Sequence, residues 1–227
     1  MTISAMLLFG SHARGDHDVY SDTDLLLISH DEQPRHVQKG HLSTSIYPLG
    51  DLMKRAQDGD LFVCHIVREA IAIYDPLDQL ALLRTHFVLR ESYRQEIQNA
   101  SDLGWFIVDY GHSSKLTSLV NRRMAWCIRT ILIARSAELK KPVFSAAELS
   151  AHANSENVMR VIKNKDTDRI DPNAVRMLDQ FLTEFGATRF QHGHVSYGSY
   201  IKRFSETSNT VALAFVRAEG SSEIVSY

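Results

Sequence analysis

The chain reads as an α+β protein, with a small β-sheet domain over residues 1–76 followed by an all-α helical bundle over residues 77–227. Three observations predict this class. Short apolar runs at residues 6–9 and 25–28 are bounded by polar turn signals, as buried strands are. The segment 41–48, His-Leu-Ser-Thr-Ser-Ile-Tyr-Pro, alternates and is rich in strand formers. Beyond Pro76, long patterns with a 3.6-residue period replace the short runs.

Composition sets the frame. The 227 residues are 44% hydrophobic and 23% charged, which fits an ordinary globular protein long enough to bury a core. A net charge of −2 gives no broad electrostatic case for nucleic acid or anionic membrane. Cys64 and Cys127 stand alone in apolar contexts without metal-ligand spacing, and read as buried free thiols of a reducing compartment. No apolar run reaches membrane-spanning length and no signal peptide opens the chain, so a cytoplasmic location with no membrane partner is expected.

Taken in order, residues 6–9 form the first strand and 25–29 the second, with a short helix over 13–20 between them. Residues 30–40 are polar and contain Pro34, which reads as a loop or short irregular helix. The third strand, 41–48, ends at Pro48; helices follow at 49–57 and 61–69, then a short strand at 70–74 stopped by Asp75-Pro76. His65 lies among apolar neighbours and reads as a packed side chain. The second half is read as helices over 80–90, 93–110, 116–139, 146–152, 158–163, 173–185 and 209–217. Ser145 with Glu148 makes a capping box, Asp171-Pro172 starts a helix that Gly186 ends, and Gly220 ends the last one.

Chemistry concentrates between the first two strands. Gly10-Ser11 opens the connecting loop and Asp22-Thr23-Asp24 closes it. Residues two apart on a strand share a face, so Asp22 and Asp24 present both carboxylates together at the mouth of an apolar strand. Hard Mg²⁺ takes such oxygen ligands and completes its shell with waters and substrate phosphate. Gly10 lets the backbone approach a phosphate closely, Ser11 offers a hydroxyl, and Arg14 a planar cation.

Gly-Ser, ten residues, then Asp-x-Asp resembles the signature of the DNA polymerase β-type nucleotidyltransferase superfamily. The form Gly10-Ser11-His12-Ala13-Arg14-Gly15 is most similar to its minimal nucleotidyltransferases. The resemblance covers about a tenth of the chain. It implies a small mixed β-sheet nucleotidyltransferase domain, nucleotide binding by Gly10, Ser11, Arg14 and Gly15, and catalysis and metal binding by Asp22 and Asp24. The plainer reading is a hairpin with a solvated acidic loop, which leaves the Gly-Ser, the arginine and the spacing as coincidences. Only five residues precede the residue 6–9 strand, so a helix that packs before it in this superfamily is expected to be absent, replaced or supplied by a partner.

The superfamily carries its third catalytic acid early on the third strand. Aligning that strand here puts Ser43 at the position, and no Asp or Glu occurs between Glu32 and Asp51. His41 is a candidate base; a plain strand-edge histidine is the simpler reading.

In the helical half, Arg122 and Trp126 are spaced to share a helix face over a nucleotide base, or more simply to form a solvated basic face beside a core indole. Arg189 and His194 match the arginine–histidine spacing of the ribonuclease motif in helical HEPN domains, a two-residue pattern on which little rests. Asp102 and Asp109 are too few for a polycation cleft.

The expected function is therefore nucleotidyl transfer. A nucleoside monophosphate, AMP first, would pass from a nucleoside triphosphate to an acceptor hydroxyl with Mg²⁺ and release of pyrophosphate. The acceptor is open: a protein side chain, an RNA end or a small molecule. The alternative is a nucleotide-binding, antitoxin-like or regulatory module with weakened catalysis, acting through a partner protein.

Overall fold

A computed structural model describes residues 2–19, 21–30, 33–191 and 195–224. The chain divides into two compact units, residues 1–91 with 137–145, and residues 92–136 with 146–227. Among the described residues no helix is long and apolar enough to cross a membrane.

The first unit is built on five strands: β1 (Ile3–Phe9), β2 (Thr23–Ser29), β3 (Arg35–Lys39), β4 (Leu42–Pro48) and β5 (Ile71–Tyr74). They lie in the order β3-β4-β2-β1-β5. β1 runs antiparallel to β2 and β5, β3 antiparallel to β4, and β2 parallel to β4, so the sheet is mixed. Alternation assigns the faces. Ala5, Leu7 and Phe9 of β1 join Leu26 and Ile28 of β2 in one buried cluster. Leu52 and Ala56 of α2 (Leu49–Gln57), Val63, Ile66 and Val67 of α3 (Leu61–Glu69), and Leu80 and Leu83 of α4 (Gln79–His86) close over that face.

Local capping explains where these helices start and stop. The Asp60 carboxylate accepts from the Phe62 and Val63 amides at 2.9 and 3.1 Å and holds Arg55 at 2.9 Å. At the other end of α3, the Arg84 guanidinium donates to the carbonyls of Val67 and Ala70, both at 3.0 Å. Asp75 caps α4 through the amides of Gln79 and Leu80.

The second unit is helical: α5 (Arg94–Tyr110), most of α6 (Thr117–Glu138), α7 (Ala146–His152), α8 (Glu156–Lys163), α9 (Pro172–Phe185), α10 (Tyr197–Glu206) and α11 (Thr210–Ile224). Phe106, fully buried, meets the ring edges of Tyr197, Tyr200, Phe204 and Phe215 at centroid separations of 5.2 to 6.0 Å. The wholly buried Asp102 accepts from Arg203 Nε at 2.8 Å and from Gln98 at 2.7 Å. Burial still pushes its pKa upward against both donors.

Several elements differ from the sequence reading: β1 begins at Ile3 where the strand was expected from residue 6, and the helix expected over 80–90 ends at His86. Residues 35–39 form edge strand β3, not a loop or irregular helix. Every residue of β3 is exposed, so its ladder to β4 holds it without any apolar pattern. The helix expected over 13–20 is α1 (Ser11–Arg14), four residues long and closed by Gly15 in the left-handed region. Helix α10 had no assignment, and α11 continues through Gly220 to Ile224.

Both cysteines are buried, and burial pushes the Cys64 thiol up to about 12 and the Cys127 thiol higher still. Neither is expected to react with a thiol reagent at pH 8 in the native protein, whereas both should react once it is unfolded; labelling followed by mass spectrometry checks this. Asp60→Ala should lower stability by about 1 kcal/mol through loss of the α3 cap, read by denaturant unfolding.

Candidate functional site

The site lies at one end of the β1–β2 pair. Phe9, the last residue of β1, is in register with Asp24 on β2, and Gly10 follows immediately. Gly10 has φ 73° and ψ −154°, a conformation that disfavours a side chain. A Cβ built there would stand 2.7 Å from Asp24 Oδ2, so glycine is required both for the turn and for the carboxylate beside it. The chain then enters α1, where Arg14 N–H donates to the Gly10 carbonyl at 3.1 Å and Gly15 N–H to the Ser11 carbonyl at 2.9 Å. The first-turn amides of so short a helix have no carbonyl within it, and they open beside Gly10.

Asp22 immediately precedes β2 and Asp24 is its second residue, both partly buried. The backbone around them is pinned: Thr23 N–H donates to the His41 carbonyl at 2.7 Å, and Ser21 closes a turn onto Asp18. Asp22 Oδ1 lies 3.4 Å from Gln38 Nε2 and 3.6 Å from His41 Nδ1. In the parallel ladder Asp24 is in register with Ser43, Leu26 with Ser45 and Ile28 with Tyr47, so Ser43 shares the face of Asp24. His41 is mostly exposed, just before β4.

Two carboxylates two residues apart, one beside a glycine whose missing Cβ leaves it room, suit a hard divalent cation that draws its remaining ligands from water and phosphate. No group of three or more His, Cys, Asp or Glu able to hold a metal occurs among the described residues. A cation here would depend on substrate oxygens to complete its shell.

Arg14 is placed differently from Gly10 and Ser11. Its Nε donates to both oxygens of Asp16, at 3.1 and 3.2 Å, and its Nη1 to Glu69 Oε2 at 2.5 Å. Burial acts to lower the Arg14 pKa, but Asp16 and Glu69 outweigh it and hold the guanidinium above its ordinary value. The structure therefore ties the loop arginine to α3. Glu69 had no role in the sequence reading; the clue available was a histidine four residues earlier on the same helix. His12 and His17 stack face to face at 4.0 Å beside the loop.

The candidates of the helical half are engaged internally. Arg122 Nε donates to Asp166 Oδ1 at 2.7 Å. Arg189 pairs with Asp109, donates to the Tyr200 hydroxyl at 3.0 Å, and lies over the Trp105 ring at 5.3 Å. His194 lies outside the described residues.

Gly10→Ala should destabilise the protein by about 1–3 kcal/mol, from backbone strain and the contact with Asp24. Ser11→Ala, at an ordinary helical position, should stay within about 0.5 kcal/mol of wild type; thermal unfolding of the pair measures the difference.

No curated protein matches the chain. Among solved structures it is similar to a nucleotidyltransferase-like protein from Exiguobacterium sibiricum 255-15, with 12% identity, a TM-score of 0.32, and coverage of 95% of this chain and 86% of that one. Residues 3–109 match the family model of the nucleotidyltransferase domain, a stretch that takes in β1, the Gly10 loop, both aspartates and the rest of the sheet. Over those residues the chain is similar to the nucleotidyltransferase domain family.

Proposed function

We propose that the chain binds a nucleoside triphosphate with Mg²⁺ at the Gly10 loop and transfers the nucleoside monophosphate, AMP first, to an acceptor hydroxyl. The observation that carries this reading is the contact between Gly10 and Asp24, which brings a side-chain-free turn against a carboxylate. The backbone at Gly10 and Ser11 receives the β- and γ-phosphates, and the Ser11 hydroxyl adds a donor. Asp22 and Asp24 hold the cation. Its chemistry, when bound, is to neutralise phosphate charge and align the leaving group. Arg14 and Gly15 shape the loop, Arg14 through Asp16 and Glu69.

In the reaction the acceptor oxygen forms a bond to the α-phosphorus as the bond to the bridging α–β oxygen breaks. Pyrophosphate leaves with the electron pair, and the hydroxyl proton passes to water. Catalysis of this kind rests chiefly on positioning and charge neutralisation. The acceptor class is a protein side chain, an RNA end or a small molecule, met directly or through a partner protein.

Ser43 in register with Asp24 favours a second reading, a regulatory module that binds nucleotide without turning it over. Pyrophosphate release from labelled triphosphates, measured with Mg²⁺ across an acceptor panel and a cell lysate, separates the two. Transfer predicts release that Asp22→Ala and Asp24→Ala each reduce at least about a hundredfold, and that EDTA abolishes. Triphosphate binding with no release in any acceptor condition selects the regulatory reading.

A further inference from the structure

We infer that Glu69, acting with His65 and Phe62 on the same face of α3, is a positioning residue that pre-sets the phosphate loop before nucleotide arrives. This rests on the nucleotide-binding reading of the Gly10 loop given above. Residues 62, 65 and 69 are spaced three and four apart, so a helix brings them into one row. That row grips the loop at both ends. At its entry, the Phe9 ring meets Phe62 edge-on at 5.8 Å and His65 edge-on at 5.4 Å. At its exit, Arg14 Nη1 reaches Glu69 Oε2. The same Glu69 oxygen accepts from His65 Nε2 at 2.7 Å, which joins the two grips into one unit.

His65 is itself fixed. Its ring stacks on Phe144 at 4.5 Å and 12°, and Phe144 comes from the 137–145 segment that belongs to this unit. The Arg14–Glu69 pair is mostly shielded from water, with side-chain exposures of 19% and 10%, so it is screened far less than a surface ion pair. Only Gly10 to Ala13 are left between the grips, and Gly10 stands against Asp24. A loop held in this way need not be ordered by its ligand, which spares the conformational entropy that binding would otherwise cost. It also assigns Arg14 a different task from a direct phosphate ligand: its guanidinium is spent on Glu69 and Asp16, and its contribution to binding is the shape of the turn.

The test uses the full chain and two variants, Glu69→Ala and Glu69→Gln. Amide hydrogen exchange is followed over residues 10–15 without nucleotide, and binding and kinetics are measured with Mg²⁺ and ATP. Glu69→Ala should speed exchange in residues 10–15 while leaving β4 unchanged. It should also raise Kd and KM for ATP about tenfold, with a smaller change in kcat, as expected for loss of a charge-assisted bond that orders the site. Glu69→Gln, which keeps an acceptor for Arg14 and His65, should recover part of both effects and serves as the readout if the alanine variant does not fold. Wild-type exchange rates and wild-type Kd in the folded variants would overturn the inference. Wild-type protein that binds no triphosphate would count against the nucleotide reading alone, and the exchange comparison would still decide whether Glu69 sets the loop.

Discussion

The arrangement depends on one register, Phe9 opposite Asp24 in the β1–β2 pair. It is fixed from below, because Ala5, Leu7 and Phe9 must face the same core as Leu26 and Ile28, and a slip of one residue would turn the whole set to the other face. Given that register, the residue after Phe9 arrives against the Asp24 carboxylate. Only glycine fits there, since a Cβ would approach to 2.7 Å at a φ of 73°. The apolar core thus dictates where the loop and the carboxylates meet, and the polar residues exploit a meeting point they do not create.

The sheet explains the other half of the site. β4 runs parallel to β2 and brings Ser43 level with Asp24, while Thr23 and His41 are linked through their backbones. Asp24 consequently stands level with a hydroxyl where a third acid would give a cation a more complete protein shell. In the proposed reaction, coordination would fall on Asp22, Asp24 and the substrate's own oxygens. Across the loop, Phe62 and His65 of α3 meet Phe9, and Glu69 meets Arg14 and His65.

Much of this was legible in the sequence, and the residues show why. Strands β1, β2 and β4 carry apolar or β-branched patterns tied to burial, and α2 and α3 have boundaries that the sequence states outright. The Gly-Ser and Asp-x-Asp pairs were readable because they report backbone freedom and face-sharing, both local properties. The resemblance, with the start of the next helix as anchor, puts Ser43 at the superfamily's third-acid position, and the ladder sets that residue level with Asp24. β3 was not legible, because Arg35-His-Val-Gln-Lys39 has no buried face and exists only through hydrogen bonds to a strand outside its own sequence. The length of α1 was missed because Gly15 stops it within one turn. α10 was missed because it is short, buries only Tyr200 and Phe204, and its partner Phe106 lies far away in sequence. The link from Arg14 to Glu69 spans 55 residues, and only the tertiary fold brings the two together.

The most direct test of the central claim is a crystal structure with a non-hydrolysable triphosphate and Mn²⁺, whose anomalous signal locates the cation without ambiguity. The triphosphate is expected on the backbone of Gly10 and Ser11, with at least one Mn²⁺ bridging its oxygens to Asp22 and Asp24, and with Arg14 still on Glu69. A triphosphate bound elsewhere, or one bound at the loop with no anomalous peak at either aspartate, would contradict the account.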